Sequence, residues 1–162
     1  VVLLSSSILK SMPVESTIVP MNEISQVART CLSDNVEDVQ SIAAQILLRI
    51  LETVQGDSSQ QKQLIHSSSL QLWDSLDQLR DVSSCAVDFV RFFSVMICQD
   101  SSLVCSVLAS NRAKVPVVMS SIVAKLLRFL NFDSIAVKIS ALKAIGRLPF
   151  AFLSRLEDLK EQ

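Results

Sequence analysis

The chain has 162 residues, a formal net charge of −1, and 49% hydrophobic against 19% charged residues. That length can bury roughly 70% of the unfolded surface, so one domain is expected. Two glycines, four prolines and no tyrosine supply little for β-turns, and Gly56 and Gly146 alone cannot build a Gly-rich phosphate loop.

The mean hydropathy is positive at +0.42, yet Arg49, Arg91, Lys125 and Arg128 interrupt the longest apolar stretches. No run then reaches the ~18 residues that a spanning helix needs. Val1-Val2-Leu3-Leu4 lacks the basic start and small-residue cleavage site of a signal peptide. Cys31, Cys85, Cys98 and Cys105 lie within apolar helical stretches without a C-x-x-C spacing, which reads as free thiols in a reducing compartment. The expectation is an ordered, soluble, intracellular all-α domain, in the cytoplasm or nucleus. A start at Val rather than Met suggests a piece of a longer protein.

In chain order, a first helix is expected from Val1 to about Met12, stopped by Pro13, with a connector to Pro20. Met21 to Ser33 is amphipathic through Ile24, Val27, Ala28, Cys31 and Leu32, and the turn Asp34-Asn35 leads into a long helix ending near Val54. Gly56-Asp57-Ser58-Ser59 is the clearest break. A short polar helix over 60–66 precedes one over 69–79 that carries Leu72, Trp73, Leu76 and Leu79. Asp81 is expected to cap an apolar helix to about Ile97, and Asp100-Ser101 to start a short one. Asn111 leads to a helix with Val118, Ile122, Leu126, Phe129 and Leu130. Asp133-Ser134 turns into Ile135 to Leu148, and Pro149 opens a last helix. About ten helices joined by short loops describe a helical array.

Within that array a register recurs: Val39, Ala43, Ile46, Leu47, Ile50; Val82, Ala86, Phe89, Val90, Phe93; and Val137, Ala141, Ala144, Ile145, Leu148. Steps of +4, +3, +1, +3 mark one helix face, and recurrence of such a face signals stacked units, each burying its apolar side on the next. From Pro116 to Leu148, Val117-Val118-Met119 through Leu126-Leu127-Arg128-Phe129-Leu130-Asn131 resembles the first helix of a HEAT repeat. Asp133 falls in its turn, and Val137-Lys138, Ala141, Ala144-Ile145-Gly146 and Leu148 resemble the second helix. Residues 21–54 follow the pattern less closely, with Gln40 after Val39 and Leu48 at the glycine place; residues 69–97 follow it least, with Ser83 after Val82 and Arg91 at the glycine place. The resemblance covers about two thirds of the chain. It implies a short right-handed α-solenoid of antiparallel helix pairs, HEAT- or armadillo-like, as a single domain over 1–162. It also implies a scaffold or adaptor that binds partners along its second helices. A compact helical bundle is the structural alternative.

Catalytic chemistry is thin. His66 lies beside Ser67, Ser68 and Ser69 with Asp74 downstream, but triad members converge through a fold rather than along a chain, and no G-x-S-x-G elbow exposes a nucleophile. The cysteine spacings match no zinc pattern. No catalytic, metal or cofactor site is expected. The charge is divided: residues 1–110 carry six basic and twelve acidic residues, residues 111–162 nine and four.

The reading is a non-catalytic interaction module holding a protein or peptide partner, with an acidic peptide among the candidates. The candidate contacts are the polar places beside the register: Gln40, Gln45 and Arg49; Asp88 and Arg91; Lys138, Lys143 and Arg147. Phe150 and Phe152 belong to an apolar helix start that either caps the stack or serves as a docking or dimerisation element. Neighbouring repeats or a second copy are further partners, and no membrane is expected. The alternative is a nucleic-acid-binding module using the basic C-terminal end, although no Tyr or Trp interleaves that patch for base stacking.

Overall fold

A computed structural model describes residues 18–56, 58–110 and 115–148. Six helices and no strand occur among these residues: α1 Ile18–Cys31, α2 Glu37–Thr53, α3 Ser58–Leu76, α4 Ala86–Ala109, α5 Val115–Phe129 and α6 Ile135–Arg147.

Six helices replace the eight expected over this span, because two expected breaks do not separate helices. Residues 60–66 and 69–79 belong to one helix, α3. The break expected between His66 and Ser69 is absent: the Ser67 and Ser69 hydroxyls donate to the carbonyls of Leu64 and Ile65 on the same helix, and neither glycine nor proline intervenes. The second break bends the backbone without interrupting the element. Asp100 leaves helical geometry at φ −154°, ψ 79°, and its Oδ1 accepts from Leu103 N at 3.1 Å, capping the resumed turn. Two smaller corrections concern ends. α1 begins at Ile18, so Pro20 lies in its first turn, where a proline ring costs no hydrogen bond. Asp81 and Val82 lie in the turn before α4 rather than in it, and Val82 is 89% exposed. The helices expected over 1–12 and after Pro149 lie outside the described residues.

The merged α4 is 24 residues long and apolar enough, by length and composition, to cross a membrane, contrary to the sequence expectation. Its apolar residues also form the centre of the core. Phe89, Val90, Phe92, Phe93, Met96 and Ile97 are buried against neighbours, and α4 packs on α2, α3, α5 and α6.

The helices pair in sequence order: α1 on α2, α3 on α4, α5 on α6. Even-numbered helices also stack on one another, α2 on α4 and α4 on α6. They begin at positions 37, 86 and 135, equal steps of 49 residues. The register holds the same helix places only in α2 and α6, 98 residues apart; its copy over Val82 to Phe93 falls six places short of the 49-residue step and marks another face of α4. Ala43, Ile46, Leu47, Ile50, Ala86, Phe89, Val90, Phe93, Val137, Ala141, Ala144 and Leu148 are buried, Val39 and Ile145 are half-buried, and Val82 is the exposed exception. Phe129 and Phe132, both buried, meet edge-on at 5.3 Å.

Polar side chains tie each pair to the next. Gln71 of α3 donates to the carbonyl of Arg29 at the end of α1, and at 3.0 Å to Ser33 Oγ. Arg128 of α5 repeats the device on α3, donating to the carbonyls of Leu76 at 3.1 Å, Asp77 at 3.3 Å and Leu79 at 2.7 Å. A cation at a helix C-terminus satisfies orphan carbonyls and meets the negative end of the dipole. The turns are linked as well: Glu37 accepts from Ser84 N and Oγ, and Asp81 from Asp133 N at 2.9 and 3.0 Å.

Candidate partner-binding surface

The sequence candidates divide into seam residues and surface residues. Asp88 is half-buried and faces α2, where its Oδ2 accepts from Ser41 Oγ and from Gln45 Nε2 at 3.2 Å. Gln40 donates to the Asp34 carbonyl, and its Oε1 accepts from Cys85 Sγ at 3.5 Å. Gln40, Gln45 and Asp88 are therefore brought together, but by the α2–α4 seam, which occupies their polar atoms. Sequence spacing places a residue beside the apolar stripe and does not say whether a neighbouring helix reaches it.

The remaining candidates point outward. Arg49 on α2, Arg91 on α4, and Lys143 and Arg147 on α6 are exposed, while Lys138 is half-buried. None of the five has an ion pair among the described residues. The stacking of α2, α4 and α6 thus carries an exposed cation on every helix. Lys143 and Arg147, four apart, share a side of α6. Arg49 and Arg147 occupy the same place in their helices, two 49-residue steps apart; the intervening place is held by Cys98, half-buried with Sγ 3.8 Å from the Lys143 carbonyl. Phe150 and Phe152 lie outside the described residues.

Two clefts open at the junction of the first two helix pairs. One of about 390 Å³ is lined by Arg29 with Asn22, Gln26, Gln60, Gln63 and Ser67 among others, and the Arg29 Nε is buried there without a hydrogen-bond partner. The other, about 520 Å³, carries the carboxylates of Asp34, Glu37 and Asp74 and no basic residue. Sequence reasoning missed both clefts; only the acidic balance of residues 1–110 pointed toward the second.

Titratable groups follow their surroundings. Burial pushes the Cys105 thiol up to about 11, and its Sγ lies 3.2 Å from Met119 Sδ. Burial, with the Glu37 and Asp88 carboxylates nearby, also raises Cys85. All four cysteines are free, Cys31 and Cys98 half-buried and the other two buried. Lys125 is lowered by burial, opposed by Asp77. Its Nζ sits 3.0 Å from Asp77 Oδ2, 2.9 Å from the Trp73 carbonyl and 3.4 Å from the Trp73 ring centroid. Lys125 and Arg128, read in the sequence as interruptions of an apolar run, are the ties between α5 and α3. Local sequence gives no sign of this, because their partners lie about 50 residues away.

His66 is exposed within α3 rather than at a helix end. Ser67 and Ser69 are turned to their own helix, Ser68 Oγ is buried without a partner, and Asp74 is exposed on the same helix. No group of three or more metal-ligating side chains occurs among the described residues. Comparisons with protein-family models, curated proteins and solved structures find no match to this chain.

Proposed function

We propose that the chain is a short α-solenoid of HEAT- or armadillo-like helix pairs that serves as a protein-interaction scaffold, docking a partner along its even-numbered helices. The observation that carries this reading is the exposed cation on each of α2, α4 and α6, along helices that stack at equal 49-residue steps. A row of this kind presents several weak contacts to one extended ligand. Few of them have internal partners to give up, so an acidic segment of a protein pays little desolvation beyond its own. The ties at Gln71, Lys125, Arg128 and Asp81 support the same reading, since they hold successive pairs at fixed spacing.

The test is quantitative affinity capture with the wild type and with Arg49→Glu/Arg91→Glu/Lys143→Glu/Arg147→Glu. A partner set lost by the variant, with its melting transition kept, is the expected result. Capture of the same proteins at the same yield would sink the assignment of this surface. Anisotropy of labelled single- and double-stranded DNA and RNA belongs to the same experiment. Salt-sensitive binding lost in the variant would move the reading to nucleic acid, where phosphate contacts make affinity fall steeply with salt.

A further inference from the structure

α6 leaves an apolar face uncovered. Ile135, Ile139 and Leu142 are 72%, 48% and 55% exposed, and with exposed Gly146 they form one stripe at helical spacing. One 49-residue step earlier the same places on α4 are Ala86, Val90, Phe93 and Ile97, at most 2% exposed. The face that α4 buries on its neighbours is thus open on α6, and three aligned large aliphatics are more than scattered surface apolarity.

We propose that this stripe is the contact of a symmetric dimer, in which the α6 helices of two copies pack antiparallel. The pattern is self-complementary about a point between Ile139 and Leu142. There Ile139 of one copy meets Leu142 of the other, and Ile135 lies level with Gly146, where even an added Cβ would meet nothing within 4 Å. Such an isologous pairing closes on itself. The charges agree. The N-terminal end of α6 holds Asp133, with Asp81 bonded to its backbone, and the C-terminal end holds Lys143 and Arg147. Antiparallel packing sets each acidic end beside the other copy's basic end and places the two helix dipoles antiparallel, which is favourable side by side. A contact built on one helix is smaller than the about 800 Å² per partner of stable complexes, so the association is weak, with a Kd between about 1 μM and 1 mM. The proposal concerns the end of the helix row and uses pure protein, so it stands or falls separately from partner docking. Its consequence would be a scaffold with two copies of every surface.

The experiment is sedimentation equilibrium of the full 162-residue chain from micromolar to millimolar concentration. A reversible monomer–dimer equilibrium abolished by Leu142→Glu is expected. Asp133→Lys and Arg147→Glu should each weaken it about fivefold, and their combination in one chain should restore it, since each copy then offers the swapped pair to the other. The double variant also guards against a folding defect being taken for lost association. A monomer at every concentration overturns the proposal, whether the face is then bare, covered by residues 149–162, or kept for an outside helix. So does an association that survives Leu142→Glu, or a double variant as weak as the singles.

Discussion

Replacing Lys125 by methionine isolates the tie between α5 and α3, since methionine keeps an unbranched stem and removes the ammonium. Three interactions are lost. The charge-assisted bond to the Trp73 carbonyl is worth about 1.5–3 kcal/mol. The approach to the Trp73 ring at 3.4 Å adds about 1–2 kcal/mol. The ion pair with Asp77 adds at most about 0.5 kcal/mol, because the Asp77 side chain is 61% exposed. Against these stands the cost of burying the ammonium, which is felt as the downward pressure on the Lys125 pKa. Gains of about 4 kcal/mol set against a burial cost of about 2 kcal/mol leave a net destabilisation near 2 kcal/mol for Lys125→Met. For a domain of this size that is a fall in Tm of about 4–8 °C. Urea unfolding followed by the single tryptophan, Trp73, reports both stability and the loss of the cation over its ring. Asp77→Asn should cost no more than about 0.5 kcal/mol. A Lys125→Met variant as stable as the wild type would refute the reasoning, showing that burial of the charge cancels everything it gains.

Other outcomes are expected from the same geometry. Phe93→Ala empties a fully buried place between α4 and Trp73, whose rings are 5.9 Å apart, and should cost about 3–5 kcal/mol in chemical denaturation. Gly146→Ala adds a Cβ with nothing within 4 Å inside a helix and should stabilise by about 0.5–1 kcal/mol, read from the same unfolding curves. The Cys105 thiol, held at about 11 in the folded chain against 9.0 unfolded, keeps its proton where the unfolded chain has lost it. Its contribution is complete below pH 9 and lost as pH rises from 9 to 11, so Cys105→Ala should flatten the alkaline fall in stability over that window. In native protein near pH 8, a disulfide reagent should modify half-buried Cys31 and Cys98 well before Cys85 and Cys105.

Helix type and core were legible in the sequence because they rest on local spacing. A residue's place on a helix face follows from its neighbours three and four away, so the register singled out residues that are buried almost throughout. The start signals at Asp34-Asn35, Asp100 and Ser134 are likewise local: Asp34 Oδ1 accepts from Val36 N, Asp100 from Leu103 N and Ser134 Oγ from Val137 N. Local signals erred where a residue had two uses. The serines of α3 bond back to their own helix instead of ending it, and Asp81 reaches the Asp133 amide 52 residues away instead of capping α4. What the outward residues face was decided only by the tertiary structure. Asp88 and Arg91, three apart on one helix, were equivalent in the sequence; α2 lies against the first and occupies its carboxylate, and the second stands free in solvent. The stripe on α6 obeys the same rule. Its spacing matches the buried face of α4, and its exposure depends on which helix stacks next, which no local pattern encodes.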